Sequence, residues 1–121
     1  MERLKKRRDF LAAAKGRRTA RRAFVMETRA RGDDLPVRFG FTVTKRTARK
    51  AVERNRIRRR LKEAVRLVDP ETVGRGFDHV LVGRRAALDA EFAALRADLD
   101  SALREATAPA RGSKDGRRPI R

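Results

Sequence analysis

The side chains with the most evident chemistry are arginines, concentrated in one run, Arg54-Asn55-Arg56-Ile57-Arg58-Arg59-Arg60-Leu61-Lys62. A guanidinium group is permanently charged and planar, so it binds phosphate through paired hydrogen bonds or stacks on exposed bases. Residues 44–66 carry eleven basic and two acidic side chains, a net charge of +9. With a rotation of about 100° per residue, Asn55, Arg59, Lys62 and Arg66 fall opposite the apolar stripe Ile57, Leu61, Ala64, Val65 and Val68, and Arg56, Arg58 and Arg60 fall on its flanks. Like charges this close destabilise an isolated helix by about 0.2–0.5 kcal/mol per pair. An anionic partner is therefore expected on this face.

Other chemistries find little support. The single histidine, His79, lies in the apolar stretch Phe77-Asp78-His79-Val80-Leu81-Val82, where a structural role is expected. The acids are scattered or gathered near the C-terminal end, and Asp33 and Asp34 fit a turn, so no carboxylate cluster suited to two-metal phosphodiester hydrolysis is visible. There is no glycine-rich phosphate loop. The absence of cysteine excludes disulfides and cysteine-based zinc sites. Across 121 residues, 34 Lys and Arg against 16 Asp and Glu give a net charge of +18. Such an excess points to a polyanionic partner. It is unevenly spread: residues 1–31 are +9, whereas residues 86–108 hold five acids and two bases, making an electrically two-faced molecule.

The elements that must position these residues are legible from periodicity. Phe10, Leu11 and Ala14 predict a short basic helix over Arg3–Lys15 with Gly16 as its stop. Phe24, Met26 and Thr28, then Val37, Phe39, Phe41 and Val43, alternate as in half-buried strands. The turn chemistry of residues 31–36 predicts that these two strands form an antiparallel hairpin. A helix is expected from about Ala51, ended by Pro70, then a buried strand over Phe77–Val82. Leu88, Phe92, Leu95, Leu99, Leu103 and Ala106 predict a last helix with Asp89 as its cap. Residues 1–108 should form one α+β domain and residues 109–121 a disordered basic tail. No apolar run of about 18 residues and no secretory leader pattern is present, so a cytoplasmic location without membrane association is expected.

These features suit an RNA-binding subunit or an rRNA-binding protein; a protein-only nuclease is disfavoured by the missing acid cluster, and a DNA-binding architectural protein ranks last. Three segments narrow the choice: Arg3-Leu4-Lys5-Lys6-Arg7-Arg8-Asp9-Phe10, Phe39-Gly40-Phe41-Thr42-Val43-Thr44-Lys45-Arg46, and the run Ala51 to Ala64 containing Arg54-Asn55-Arg56. Together they resemble the bacterial ribonuclease P protein family over about residues 3 to 106. The resemblance implies a two-layer α-β sandwich of the ribosomal protein S5 domain 2-like type, in the order α-β-β-β-α-β-α, with a left-handed β-α-β crossover. It implies an RNA-binding subunit that assists a catalytic RNA in removing the 5′ leader of precursor tRNA, with Mg²⁺ held mainly by the RNA and one protein per RNA.

Carried over by motif, Arg54, Asn55, Arg56, Arg58, Arg59 and Lys62 would face the catalytic RNA. Phe10, Lys45 and Arg46 would border a cleft for the single-stranded leader. Ala14 and Glu27 stand where many family members place aromatics, so leader contacts are expected to lean on charge and on Arg22 or Phe24. Thr47-Ala48-Arg49-Lys50 is one residue longer than the family's usual turn and lacks its glycine.

Overall fold

The computed structural model describes residues 2–69 and 73–108. Its elements run β1 (Glu2–Arg3), α1 (Arg7–Ala14), β2 (Arg17–Ala20), β3 (Phe24–Ala30), β4 (Arg38–Thr42), α2 (Ala51–Arg66), β5 (Phe77–Gly83), a 3₁₀ turn (Arg85–Leu88) and α3 (Phe92–Thr107). The five strands form one mixed sheet in the order β1-β4-β5-β3-β2. β4 and β5 are parallel neighbours joined through α2, the β-α-β crossover that the resemblance implies.

Alternation along the strands separates two apolar clusters. Phe24 and Met26 of β3, Phe39 of β4 and Leu81 of β5 meet Ile57, Leu61, Ala64 and Val65 of α2 and Leu95, Leu99 and Leu103 of α3 in the main core. On the opposite face, Val80 and Val82 of β5 pack with Leu4, Phe10 and Ala13 around α1. Two glycines let the helices approach this closely. A Cβ on Gly40 would lie 2.7 Å from the Phe10 ring, and one on Gly83 would lie 2.6 Å from Cγ2 of Ile57. Both distances are shorter than carbon contacts allow.

Several expectations need correction. Residues 31–36 do not close a hairpin, because β5 lies between β3 and β4, antiparallel to the first and parallel to the second. Turn chemistry reports that the chain reverses and says nothing of which strand it then joins. The hairpin is instead β2 with β3. In β2, Arg17-Arg18-Thr19-Ala20 buries only Thr19, so it carries no apolar alternation to reveal it. The first helix begins at Arg7, not Arg3, because the Glu2 and Leu4 amides donate to the Val37 and Phe39 carbonyls, and burial of Leu4 anchors that added strand. Leu88 lies in the 3₁₀ turn, and Asp89 closes that turn instead of capping α3, which starts after Glu91 without a side-chain cap bond. Pro70 and the basic tail 109–121 lie outside the described residues.

Candidate nucleic-acid interface

α2 forms because its apolar positions recur at helical spacing: Ile57, Leu61, Ala64 and Val65 are buried against the sheet. The opposite surface holds the arginines, whose engagements differ. Arg54 donates to the carbonyls of Ala48 and Arg49 at 2.9 and 2.8 Å, tying the preceding turn to the helix. Arg58 donates to Oδ1 of Asn55 at 3.1 Å. Arg60 donates to the Ala90 carbonyl and so bridges to the start of α3. The ammonium of Lys62 stands 6.0 Å from the centre of the Phe41 ring, a cation–π contact that keeps it half-buried.

Arg56 and Arg59 are exposed and have no hydrogen-bond or ion-pair partner among the described residues. The two carboxylates of α2 are already committed. Glu53 accepts from Arg85 at 3.1 Å and Glu63 from Arg66 at 2.6 Å, and these hydrogen bonds hold both carboxyls below their usual range. The N-terminal end of α2, with its positive dipole end, is flanked by Arg49 and Lys50 instead of by an acidic cap. Asn55, Arg56 and Arg59, with Arg58 beside them, therefore present an outward cationic surface able to bind phosphates.

The residues expected at a leader cleft are not all brought together. Phe10 is half-buried over Gly40, with part of its ring on the α1 face of the sheet. Lys45 and Arg46 are exposed in the turn after β4. This turn is closed without glycine, by the Thr47 amide donating to the Thr44 carbonyl at 3.1 Å and to its hydroxyl at 3.2 Å. Glu27, on the α1 face, pairs with Arg18 at 3.2 Å. Phe24 is fully buried in the main core with Met26, which removes it from any contact surface. Arg22 lines a hollow with Asp89, Glu91 and Asp98 on the α3 side, away from Phe10.

Two features escaped sequence reasoning. The first is a basic hollow of about 650 Å³ beside the start of α1, lined by Arg3, Lys5, Lys6, Arg8 and Arg38 together with Glu2 and Asp9. The density of lysine and arginine before Phe10 was its signal, but Arg38 joins it only through the β1–β4 pairing. The second is the ion-pair network on Asp78, whose side chain is wholly buried. Arg31 donates to it at 2.5 Å and Arg38 donates through two nitrogens at 2.8 Å each. Arg29 and Arg38 also each approach Asp9, at 3.6 Å. Burial alone would raise the Asp78 carboxyl, but the hydrogen bonds from Arg38 and Arg31 outweigh it and hold the group below the ordinary aspartate value.

His79 is buried between Phe39 and Phe77, with Nδ1 paired to the Thr28 hydroxyl at 2.9 Å and Nε2 without a hydrogen-bond partner among the described residues. Burial lowers its pKa to about 4, against a weaker opposing pull from Asp78. Among the described residues no group of three or more His, Asp or Glu side chains is placed to hold a metal ion. No helix among them is long and apolar enough to cross a membrane.

Comparison with known proteins matches this architecture to one family. A family model described as Ribonuclease P matches residues 1–107. The ribonuclease P protein component of Gluconacetobacter diazotrophicus is 49% identical over 105 residues, covering 86% of this chain and 90% of that protein. Its counterpart from Caulobacter vibrioides is 48% identical over 103 residues, covering 84% of this chain and 68% of that one. The solved structure of the Thermotoga maritima ribonuclease P protein aligns with a TM-score of 0.71 at 30% identity, covering 87% of this chain and 97% of that one. The Staphylococcus aureus protein gives 0.70 at 28% identity, covering 88% and 96%. With the family matched from residue 1 to 107 and the fold shared with its solved members, this chain belongs to the ribonuclease P family as a protein component, a subunit of the tRNA-processing ribonucleoprotein whose catalytic RNA is a separate molecule.

Proposed function

We propose that this subunit uses the outward face of α2 to neutralise converging phosphates of the catalytic RNA and so helps that RNA hold precursor tRNA in its active conformation. The observation that carries the reading is the pair of exposed guanidiniums, Arg56 and Arg59, left without partners among the described residues on a helix whose acids are already engaged. Asn55 and Arg58 extend the same surface, while Arg54 and Lys62 support it through the turn and the Phe41 ring. The single-stranded leader is assigned to the α1 face, with the exposed part of Phe10 as a stacking surface and Lys45 and Arg46 as phosphate contacts. The metal ions belong to the RNA in this reading. One protein would serve one RNA, in the cytoplasm.

The test is precursor-tRNA cleavage at low Mg²⁺ by the cognate catalytic RNA with and without the protein, beside the protein alone. Cleavage stimulated only in the combined reaction is the expected result. Cleavage by the protein alone, or no stimulation, overturns the reading. Arg58→Ala should lower the salt dependence of RNA binding by up to about one ion. Arg54→Ala should show a similar loss together with a less stable turn before α2.

A further inference from the structure

Beside Arg56 and Arg59, which have no partner among the described residues, α2 carries an unusual neighbour. Val52 is 70% exposed, the most exposed of the large hydrophobic residues described. It stands four and seven residues before Arg56 and Arg59, a spacing that puts all three on one face of the helix. Across from them lies the 3₁₀ turn that follows β5. Val52, Glu53, Arg56 and Arg59 from the helix and Leu88 and Asp89 from the turn line one hollow of about 400 Å³. Its lining combines two aliphatic side chains, two guanidiniums and two carboxylates that differ: Glu53 is bonded to Arg85, whereas the Asp89 carboxylate feels Arg85 only at longer range and makes no hydrogen bond or ion pair among the described residues.

Resting on the assignment of α2 to the catalytic RNA, we infer that this hollow receives one unpaired guanine of that RNA. A phosphate-binding surface needs neither an exposed valine nor a carboxylate without a hydrogen-bonding partner, and a carboxylate repels phosphate. A nucleobase uses both. Its π face packs on Val52 and Leu88, as an unstacked base packs between apolar side chains in a protein pocket, and the phosphates on either side of it meet Arg56 and Arg59. A carboxylate such as that of Asp89 offers oxygens that accept hydrogen bonds. Guanine alone presents two adjacent donors, N1–H and the N2 amino group, that two carboxylate oxygens can accept together. Adenine and cytosine set an acceptor nitrogen beside their amino group, and uracil flanks its single N–H with two carbonyls. Charge complementarity argues for RNA as the occupant, given the net charge of +18 on the whole chain and the +9 within residues 44–66.

The experiment probes the assembled complex of full-length protein and cognate catalytic RNA, at saturating protein, with a glyoxal reagent that adds across N1 and N2 of unpaired guanines. The wild type should protect at least one guanine that Asp89→Ala and Val52→Asp leave reactive while the other protections persist. Changing that guanine to adenine should weaken binding about tenfold for the wild type, within the discrimination expected of a good bidentate contact, and leave Asp89→Ala unaffected. Guanine protection identical in all three proteins overturns the inference. Arg56→Ala and Arg59→Ala separate the two levels: if they lower affinity and salt dependence while guanine protection ignores Asp89, the guanine site fails and the α2 interface stands. If they change neither, the α2 interface itself is wrong and the guanine site falls with it.

Discussion

Arginines serve two opposite purposes in this protein, and the contrast between β3–β4 and α2 shows what separates them. On the sheet, Arg29 and Arg38 are registered on either side of Asp78 across three adjacent strands, and Asp9 reaches in from α1 to contact both. Arg31 also donates to Asp33 and to the carbonyls of Leu35, Pro36 and Phe77, so it holds the 31–36 connection against the start of β5. On α2, Arg56 and Arg59 meet no such acceptors among the described residues. The density of arginine does not distinguish the two regions. Placement of a few carboxylates neutralises one group into structure and leaves the other available to an external anion.

The sharpest way to break this comparison is to remove the acid at the centre of the sheet network. Asp78→Ala leaves Arg31, whose side chain is 7% exposed, with only the half-exposed Asp33 and backbone carbonyls, and leaves Arg38 with only the more distant Asp9. Removing one partner of a buried ion pair costs up to about 3–5 kcal/mol when the remaining charge is left desolvated and unpaired, and the contacts Arg31 keeps with Asp33 and Arg38 with Asp9 place the expected loss at the lower end of that range. Urea denaturation should show a loss of that size. A loss under about 1 kcal/mol would mean that water reaches these guanidiniums and that they are no more structural than an exposed pair.

His79 gives the next largest effect and tests whether the buried side of the sheet tolerates charge at all. Its folded pKa of about 4 lies below the ordinary histidine value of 6.5, so the native state keeps the ring neutral while the unfolded chain takes up a proton. Stability is therefore full above pH 6.5 and falls as the pH drops toward 4, by up to about 3 kcal/mol. The lowered carboxyls of Asp78, Asp33, Glu53 and Glu63 contribute losses only below their ordinary range, so the decline between pH 6.5 and 5 belongs to the histidine. Because the chain has one histidine, a single imidazole resonance followed by NMR reports its titration directly. A midpoint near 6.5 would contradict the burial.

The two regions were not equally legible. The α2 stripe could be read because helical period and burial are both local: Ile57, Leu61, Ala64 and Val65 announce the buried face, and the arginines then have only the outside left to them. Asp78 could not be read, because its partners come from β3, the following connection and β4, brought together only by the insertion of β5 between strands that are consecutive in sequence. The same insertion defeated the expected hairpin. Phe24 teaches a different lesson. Its alternation with Met26 and Thr28 already placed it on a face that must be buried, and assigning it to a leader contact overrode that signal. Arg22 failed for want of tertiary information, since its acidic neighbours come from the turn after β5 and from α3.

The smallest effect on stability carries the largest consequence for function. Arg56→Ala with Arg59→Ala removes two exposed side chains that bond to nothing else described, so the urea midpoint should correspond to a change within about 0.5 kcal/mol, and relief of like-charge repulsion along α2 can make it slightly favourable. Binding to the catalytic RNA should nevertheless weaken at every salt concentration, and the slope of log affinity against log salt should fall by about 1.4–1.8 for two lost phosphate contacts. Titrations of the double variant at several potassium concentrations, beside the urea curve, separate the two properties. An unchanged slope would show that these guanidiniums stay solvated in the complex, and the distinction between structural and RNA-facing arginines would then rest on their exposure alone.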